Sequence, residues 1–128
     1  MGRKLVTDAG KNELLRLCFA SGSKGPFNWM ALGGESSKGA HGGKFVEISE
    51  KGYHRVETKP GTPTNKEIVI SATFEENNNA EGKIISEIGL CNSSNHTTEE
   101  TFFLYSEVPE IPKESNISLK YTVIISME

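Results

Sequence analysis

The stretch Lys83-Ile84-Ile85-Ser86-Glu87-Ile88-Gly89-Leu90-Cys91-Asn92 decides the fold. It is the most apolar run in the chain that has turn chemistry on both sides. Glu76-Asn77-Asn78-Asn79 precedes it and Asn92-Ser93-Ser94-Asn95 follows it. In an extended strand Ile84, Ser86, Ile88 and Leu90 point one way, and Ile85, Glu87, Gly89 and Cys91 point the other. Apolar residues on both faces predict a strand inside a sheet, not at its rim. Gly89 has no side chain, so either a bulky neighbour lies across it or the strand bulges there.

Outward from this run, the C-terminal half reads as strands. Glu67 to Glu75 sets Ile68, Ile70, Ala72 and Phe74 against Val69, Ser71 and Thr73. Thr101 to Val108 is aromatic and β-branched. Pro109 and Pro112 then predict an extended connector. Ile117 to Ser126 turns Ile117, Leu119, Tyr121, Val123 and Ile125 inward and Ser118, Lys120 and Thr122 outward. Upstream, Phe27 to Leu32 reads as a strand, Gly33 to Lys44 as a glycine-rich loop, and Phe45 to Ile48 as a short strand or turn. Tyr53 to Lys59 reads as a half-exposed strand ended by Lys59-Pro60-Gly61-Thr62-Pro63.

Only one helix is predicted. Thr7 or Asp8 caps it and it runs to about Ala20, with Leu14, Leu15, Leu17, Cys18 and Phe19 as its apolar stripe. Gly10 places the firm part at Lys11 to Phe19. The expected architecture is therefore mainly β: an antiparallel β-sandwich or barrel with one short N-terminal helix. Residues 1–128 form one domain, with the helix at about 8–20 and the β core at about 27–127. Ile70, Phe74, Ile88, Leu90, Leu119, Tyr121 and Val123 are the expected core.

The totals restrict the function classes. A 128-residue chain buries a real core without metal or disulfides. The net charge of -3 argues against nucleic acid as a partner. No apolar run reaches the roughly 20 residues of a membrane span. The opening residues show no apolar signal core, which predicts synthesis in a cytoplasm, and Val6 argues against acylation at Gly2. Cys18 and Cys91 are then expected as two buried thiols without a disulfide, and the three Asn-x-Ser/Thr sequons as chance matches.

A search for chemistry finds no catalytic, cofactor or metal residues. Gly33 to Lys44 fails the phosphate-loop pattern because Phe45 stands where Ser or Thr is needed and Lys38 where the first glycine is needed. His41, His54 and His96 lie in separate segments without metal spacing, and surface positions are expected for all three. Glu75-Glu76 and Glu99-Glu100 flank turns and read as solvated charge. Trp29 shares a strand face with Phe27 and Ala31 and is expected in the core.

One resemblance adds to this reading. Met30-Ala31-Leu32-Gly33-Gly34 follows a helix and a small-residue turn. Ile68 to Phe74 follows, and then Ser86-Glu87-Ile88-Gly89-Leu90. Phe102-Phe103-Leu104-Tyr105 leads to the prolines of Val108 to Pro112, and Ile117 to Ile124 closes the chain. This ordered set, covering nearly the whole chain, resembles small tail-fibre-type and capsid-decoration-type structural proteins of tailed bacteriophages. The family's short hairpin after "SEIGL" is replaced here by the longer, polar Cys91 to Glu100. The resemblance implies a non-enzymatic virion protein, made in the host cytoplasm and placed on the particle surface. Its implied partners are its own copies, as a trimer or another symmetric oligomer, and other capsid or tail proteins. It brings no cofactor and no catalytic residues. The competing class is a carbohydrate-binding module for a host glycan, with Trp29, Tyr53 and Tyr105 as stacking candidates. Their burial distinguishes the two classes.

Overall fold

A computed structural model of the chain describes residues 4–22, 25–34, 45–49, 52–78, 83–95, 100–114 and 116–127. The elements in chain order are β1 (Lys4–Val6), α1 (Asp8–Phe19), β2 (Trp29–Gly33), β3 (Val56–Glu57), β4 (Lys59–Pro60), β5 (Glu67–Phe74), β6 (Ile84–Cys91), β7 (Phe102–Pro112) and β8 (Leu119–Ser126). They build two antiparallel sheets. One has five strands in the order β1-β7-β6-β2-β3 and the other three in the order β4-β5-β8. Both sheets are open, so the barrel alternative does not apply. Thr58 lies between β3 and β4, where the chain passes from one sheet to the other.

The expected centre is the centre. β6 lies between β7 and β2, which is why both of its faces are apolar or buried. The core joins Met30 and Leu32 of β2, Ile88 and Leu90 of β6 and Leu104 of β7 to Ile70, Ala72 and Phe74 of β5 and Val123 of β8. β5 and β8 pair without interruption from Glu67↔Ser126 to Phe74↔Leu119. Their alternation therefore holds along the full length, and Val123 is buried while Leu119 and Tyr121 are partly buried against the same core.

The β6–β7 ladder departs from simple alternation twice. Between Ile85 and Glu87 on β6, the partner advances from Ile111 to Glu107 on β7. The extra β7 residues bulge out, and Pro109 falls among them. The prolines expected to form a connector outside the strand are thus inside β7. One sits where no ladder donor is needed and the other, Pro112, is the last residue. At this end Ile84, expected on the face of Ile88 and Leu90, is 45% exposed, and Ile85 is buried in the core in its place, because the pleat is irregular here. The second irregularity lies between Leu90↔Leu104 and Cys91↔Phe102, where Phe103 is the extra residue. Phe103 and Leu104 are consequently both in the core despite being adjacent.

Helix α1 forms where expected. Thr7 is its N-cap, with Oγ1 accepting from the Gly10 N–H at 2.8 Å, while its hydroxyl donates to the Phe102 carbonyl. Its orientation is not the expected one. The buried residues are Gly10 and Glu13, and Leu15, Leu17 and Phe19 are 57%, 40% and 83% exposed. The cause is Gly10. A Cβ there would lie 2.6 Å from the Phe103 Cα, so the helix rests on β7 through this glycine. Glu13 sits beside it on the buried side and pairs with Arg16 at 2.8 Å. With Gly10 and Glu13 against the sheet, the apolar stripe is turned roughly a quarter-turn toward solvent.

Candidate functional site

Two surfaces stand out. The first covers the side of the five-stranded sheet opposite the main core. Ala31 and Gly33 of β2 and Gly89 of β6 leave a low floor there. The Phe45 ring lies against Gly33 and the Phe102 ring against Gly89, where a Cβ would come within 2.6 Å of either ring. This is the bulky neighbour that the bare Gly89 position predicted. The ring centroids of Phe45 and Tyr105 are 5.0 Å apart and those of Phe102 and Tyr105 are 5.2 Å apart. The extra Phe103 residue makes this possible. It reverses the alternation, so that Phe102 and Tyr105 share a face.

Arg55 fastens the segment that carries Phe45. Its side chain is buried between β6 and the loops. Nε and Nη2 donate to the two Glu47 carboxylate oxygens at 2.9 and 2.8 Å, and Nη2 pairs with Glu100 at 2.7 Å. Nη1 donates to the Ser93 and Asn95 carbonyls at 3.0 and 3.2 Å, and to Cys91 Sγ at 3.4 Å. The guanidinium also lies 5.3 Å from the centroid of the Phe102 ring. Burial opposes the charge on Arg55, but its hydrogen bonds to Glu47 and Glu100 outweigh it and hold the group protonated even more firmly than usual. The Tyr53 hydroxyl donates to Glu47 at 2.5 Å and accepts from the Leu32 N–H at 2.9 Å. Burial, reinforced by Glu47, pushes this phenol well above its ordinary range. Burial also pushes the Cys91 thiol up to about 11, which keeps it neutral and a poor nucleophile. A cavity of about 430 Å³ lies alongside, lined by Thr7, Phe45, Glu47, Glu100, Phe102 and Tyr105. The polar groups around it are largely committed to one another. Their visible effect is to clamp residues 45–49 and 52–55 onto β6.

The second surface is apolar. A groove of about 480 Å³ runs between α1 and the three-stranded sheet, lined by Leu14, Leu17, Phe27, Ile68, Ile125 and Met127. Lys66 and Glu67 also border it. Beside it the outward stripe of α1 presents Leu15 and Phe19 to solvent.

Several expectations need correction at these sites. Glu100 is not solvated charge but a mostly buried partner of Arg55. Cys18 is exposed, whereas Cys91 is buried, and both are free thiols. Trp29 is half-buried at the register of Cys91 and is not part of the main core. His54 is exposed, as are Glu75 and Glu76. His41, His96 and Glu99, most of the Gly33 to Lys44 loop and residues 96–99 lie outside the described residues. Among the described residues no group of three or more His, Cys, Asp and Glu side chains converges as a metal site. The Arg55 cluster was not foreseen. Glu100 is distant from Arg55 in sequence, Glu47 lies eight residues before it with no pattern linking the two, and an arginine in an alternating segment carries no signal of burial. Comparison with protein-family models, curated proteins and solved structures finds no match to this chain.

Proposed function

We propose that this chain is a non-enzymatic structural protein of a tailed bacteriophage virion, acting on the particle surface as a tail or fibre component or as a capsid decoration protein. The observation that carries the reading is the orientation of α1. A 12-residue helix buries a glutamate and turns Leu15 and Phe19 outward, while Leu14 and Leu17 wall an apolar groove. Exposed apolar surface of this kind is unfavourable in water and suits a protein that works by contact with other proteins. The clamped, aromatic-filled outer face of the five-stranded sheet supplies a rigid platform for such contacts. The ordered segments that resemble phage structural proteins point the same way. Two of the three stacking candidates argue against the carbohydrate module, whereas Trp29 is half-buried outside the main core and does not. Tyr105 is stacked into the aromatic layer and the Tyr53 hydroxyl is tied to Glu47 and Leu32.

The test is the native particle. Mass spectrometry should find the chain in purified virions at a fixed stoichiometry, and cryo-electron microscopy should place it at symmetry-related surface positions. A decoration protein added to bare capsids should bind saturably and raise their melting temperature. A tail component should ignore capsids, and tails lacking it should fail to assemble or adsorb. Absence from the particle together with specific glycan binding in solution would overturn the reading in favour of the carbohydrate module.

A further inference from the structure

The groove between α1 and the three-stranded sheet reaches below the surface. Its floor is Ile70, Leu90 and Phe103, core residues that are 7%, 1% and 8% exposed. Leu14 and Leu17 wall it on the helix side, and Ile68, Ile125 and Met127 on the sheet side. A second cavity, of about 440 Å³, shares Leu14, Phe103, Ile125 and Met127 with it, so the apolar space continues toward Val6 and Leu104. Among the described residues, the charged groups at the groove are Lys66 and Glu67. The Glu67 carboxylate accepts from the Ser126 hydroxyl at 3.1 Å. Lys66 forms no ion pair among the described residues. Its backbone is also unusual. Thr64 and Glu67 exchange hydrogen bonds of 2.9 and 3.0 Å around Asn65 and Lys66, whose φ values are 53 and 65. A two-residue turn of this hand favours Asn followed by Gly. A lysine in the glycine position is strained, and strain of this kind persists where the side chain serves a site.

We propose that the groove binds a fatty-acid anion, with its unbranched acyl chain along the groove and its carboxylate at Lys66. Three features select this ligand. The volume of about 480 Å³ lies within the range of small-molecule sites, and the walls are apolar apart from the mouth. What enters must therefore be apolar along its length, because a buried polar group would find no partner. The floor lies among core side chains, below the reach of a flat protein surface. The unpaired cation at the mouth complements an anionic end. This site goes beyond the virion reading and does not depend on it.

The experiment titrates the full chain with saturated fatty-acid anions below their micelle concentrations. Calorimetry should show one saturable site, and Tm should rise with ligand concentration. Affinity should grow about 15-fold for every two carbons from octanoate to dodecanoate, since each buried methylene contributes about 4-fold. Lys66→Gln should weaken decanoate at least about 5-fold and leave decanol unchanged. Leu17→Asp, which puts a charge into the wall at an accessible position, should abolish uptake, and Leu15→Asp, outside the groove, should not. Methyl NMR gives a readout that needs no variant: decanoate should shift Ile68, Ile125 and Met127 and leave Val69 in place. No saturation, several ligands bound per chain, uptake that survives in folded Leu17→Asp, or decanol bound as tightly as decanoate overturns the proposal. A groove closed by self-association or by another protein, in a chain that takes up no decanoate, overturns it too.

Discussion

Replacing Arg55 by alanine tests whether the charged cluster holds residues 45–49 and 52–55 to the sheet. The substitution removes the forked contact to Glu47 at 2.8 and 2.9 Å and the pairing with Glu100 at 2.7 Å. It leaves two carboxylates facing each other, with side chains only 19% and 11% exposed. Breaking a buried ion pair from one side costs about 3–5 kcal/mol, because the remaining charge is stranded. The lost bonds to the Ser93 and Asn95 carbonyls add little, since those residues lie in a loop that water reaches. The loss of contact with Phe102 removes a further fraction of a kilocalorie. Urea unfolding should therefore show a loss of about 3–5 kcal/mol, which for a chain of this size is a drop of roughly 12–20 °C in Tm. A double-mutant cycle makes the test specific. Glu47→Gln should cost at least about 1 kcal/mol more in the parent chain than in the Arg55→Ala background, where it relieves repulsion. An Arg55→Ala variant within about 1 kcal/mol of the parent, or no coupling in the cycle, would refute the reasoning.

Three further outcomes are expected. Gly10→Ala should destabilise the chain by about 1–2 kcal/mol in urea despite a helix-propensity gain of about 1 kcal/mol, because the new Cβ meets the Phe103 backbone Cα at 2.6 Å; a stabilised variant would show that α1 does not rest on β7 as described. Lys66→Gly should raise the stability by about 0.5–1 kcal/mol in thermal unfolding. Lys66 has φ 65, and the strain of a side chain in that region exceeds glycine's extra chain entropy; an unchanged Tm would reject the strain. Alkaline pH should unfold the chain. Cys91 and Tyr121 are acids whose burial raises their pKa to about 11 and about 12, from 9.0 and 10.0. The folded state then holds these protons more tightly than the unfolded state, so their contribution is complete below about pH 9 and is lost between about pH 9 and 12. The Tm profile should fall across that window, and Cys91→Ala with Tyr121→Phe should make the fall shallower, the remainder coming from Tyr53 and Tyr105, whose phenols are also raised by burial.

Local patterns in the chain reveal the five longer strands and which of them lies at the centre, but not β1 at Lys4–Val6, and Lys59-Pro60, expected as a break, pairs with β5 as strand β4. Period-two patterns in Glu67 to Phe74 and Leu119 to Ser126 reflect the pleat, which is a local property of the backbone, and these strands pair without a break. The two-sided apolar run at Ile84 to Cys91 likewise identified an interior strand, and Gly89 left open a bulky neighbour or a bulge, of which the structure shows the neighbour, the Phe102 ring. The tertiary structure decided what depends on residues distant in the chain. The extra residue at Phe103 sets Phe102 and Tyr105 on one face, where strict alternation would separate them, and the bulge is visible only against the β6 partner. The helical stripe of Leu14, Leu15, Leu17, Cys18 and Phe19 was legible, but its direction was not. That direction follows from the close approach of Gly10 to Phe103, a contact across more than 90 residues that overrides the pull of the apolar stripe. Arg55, Glu47 and Glu100 form a buried cluster only because β6 and its flanking loops bring them within hydrogen-bonding distance, and charge burial is a property of that assembled environment and not of any one residue type.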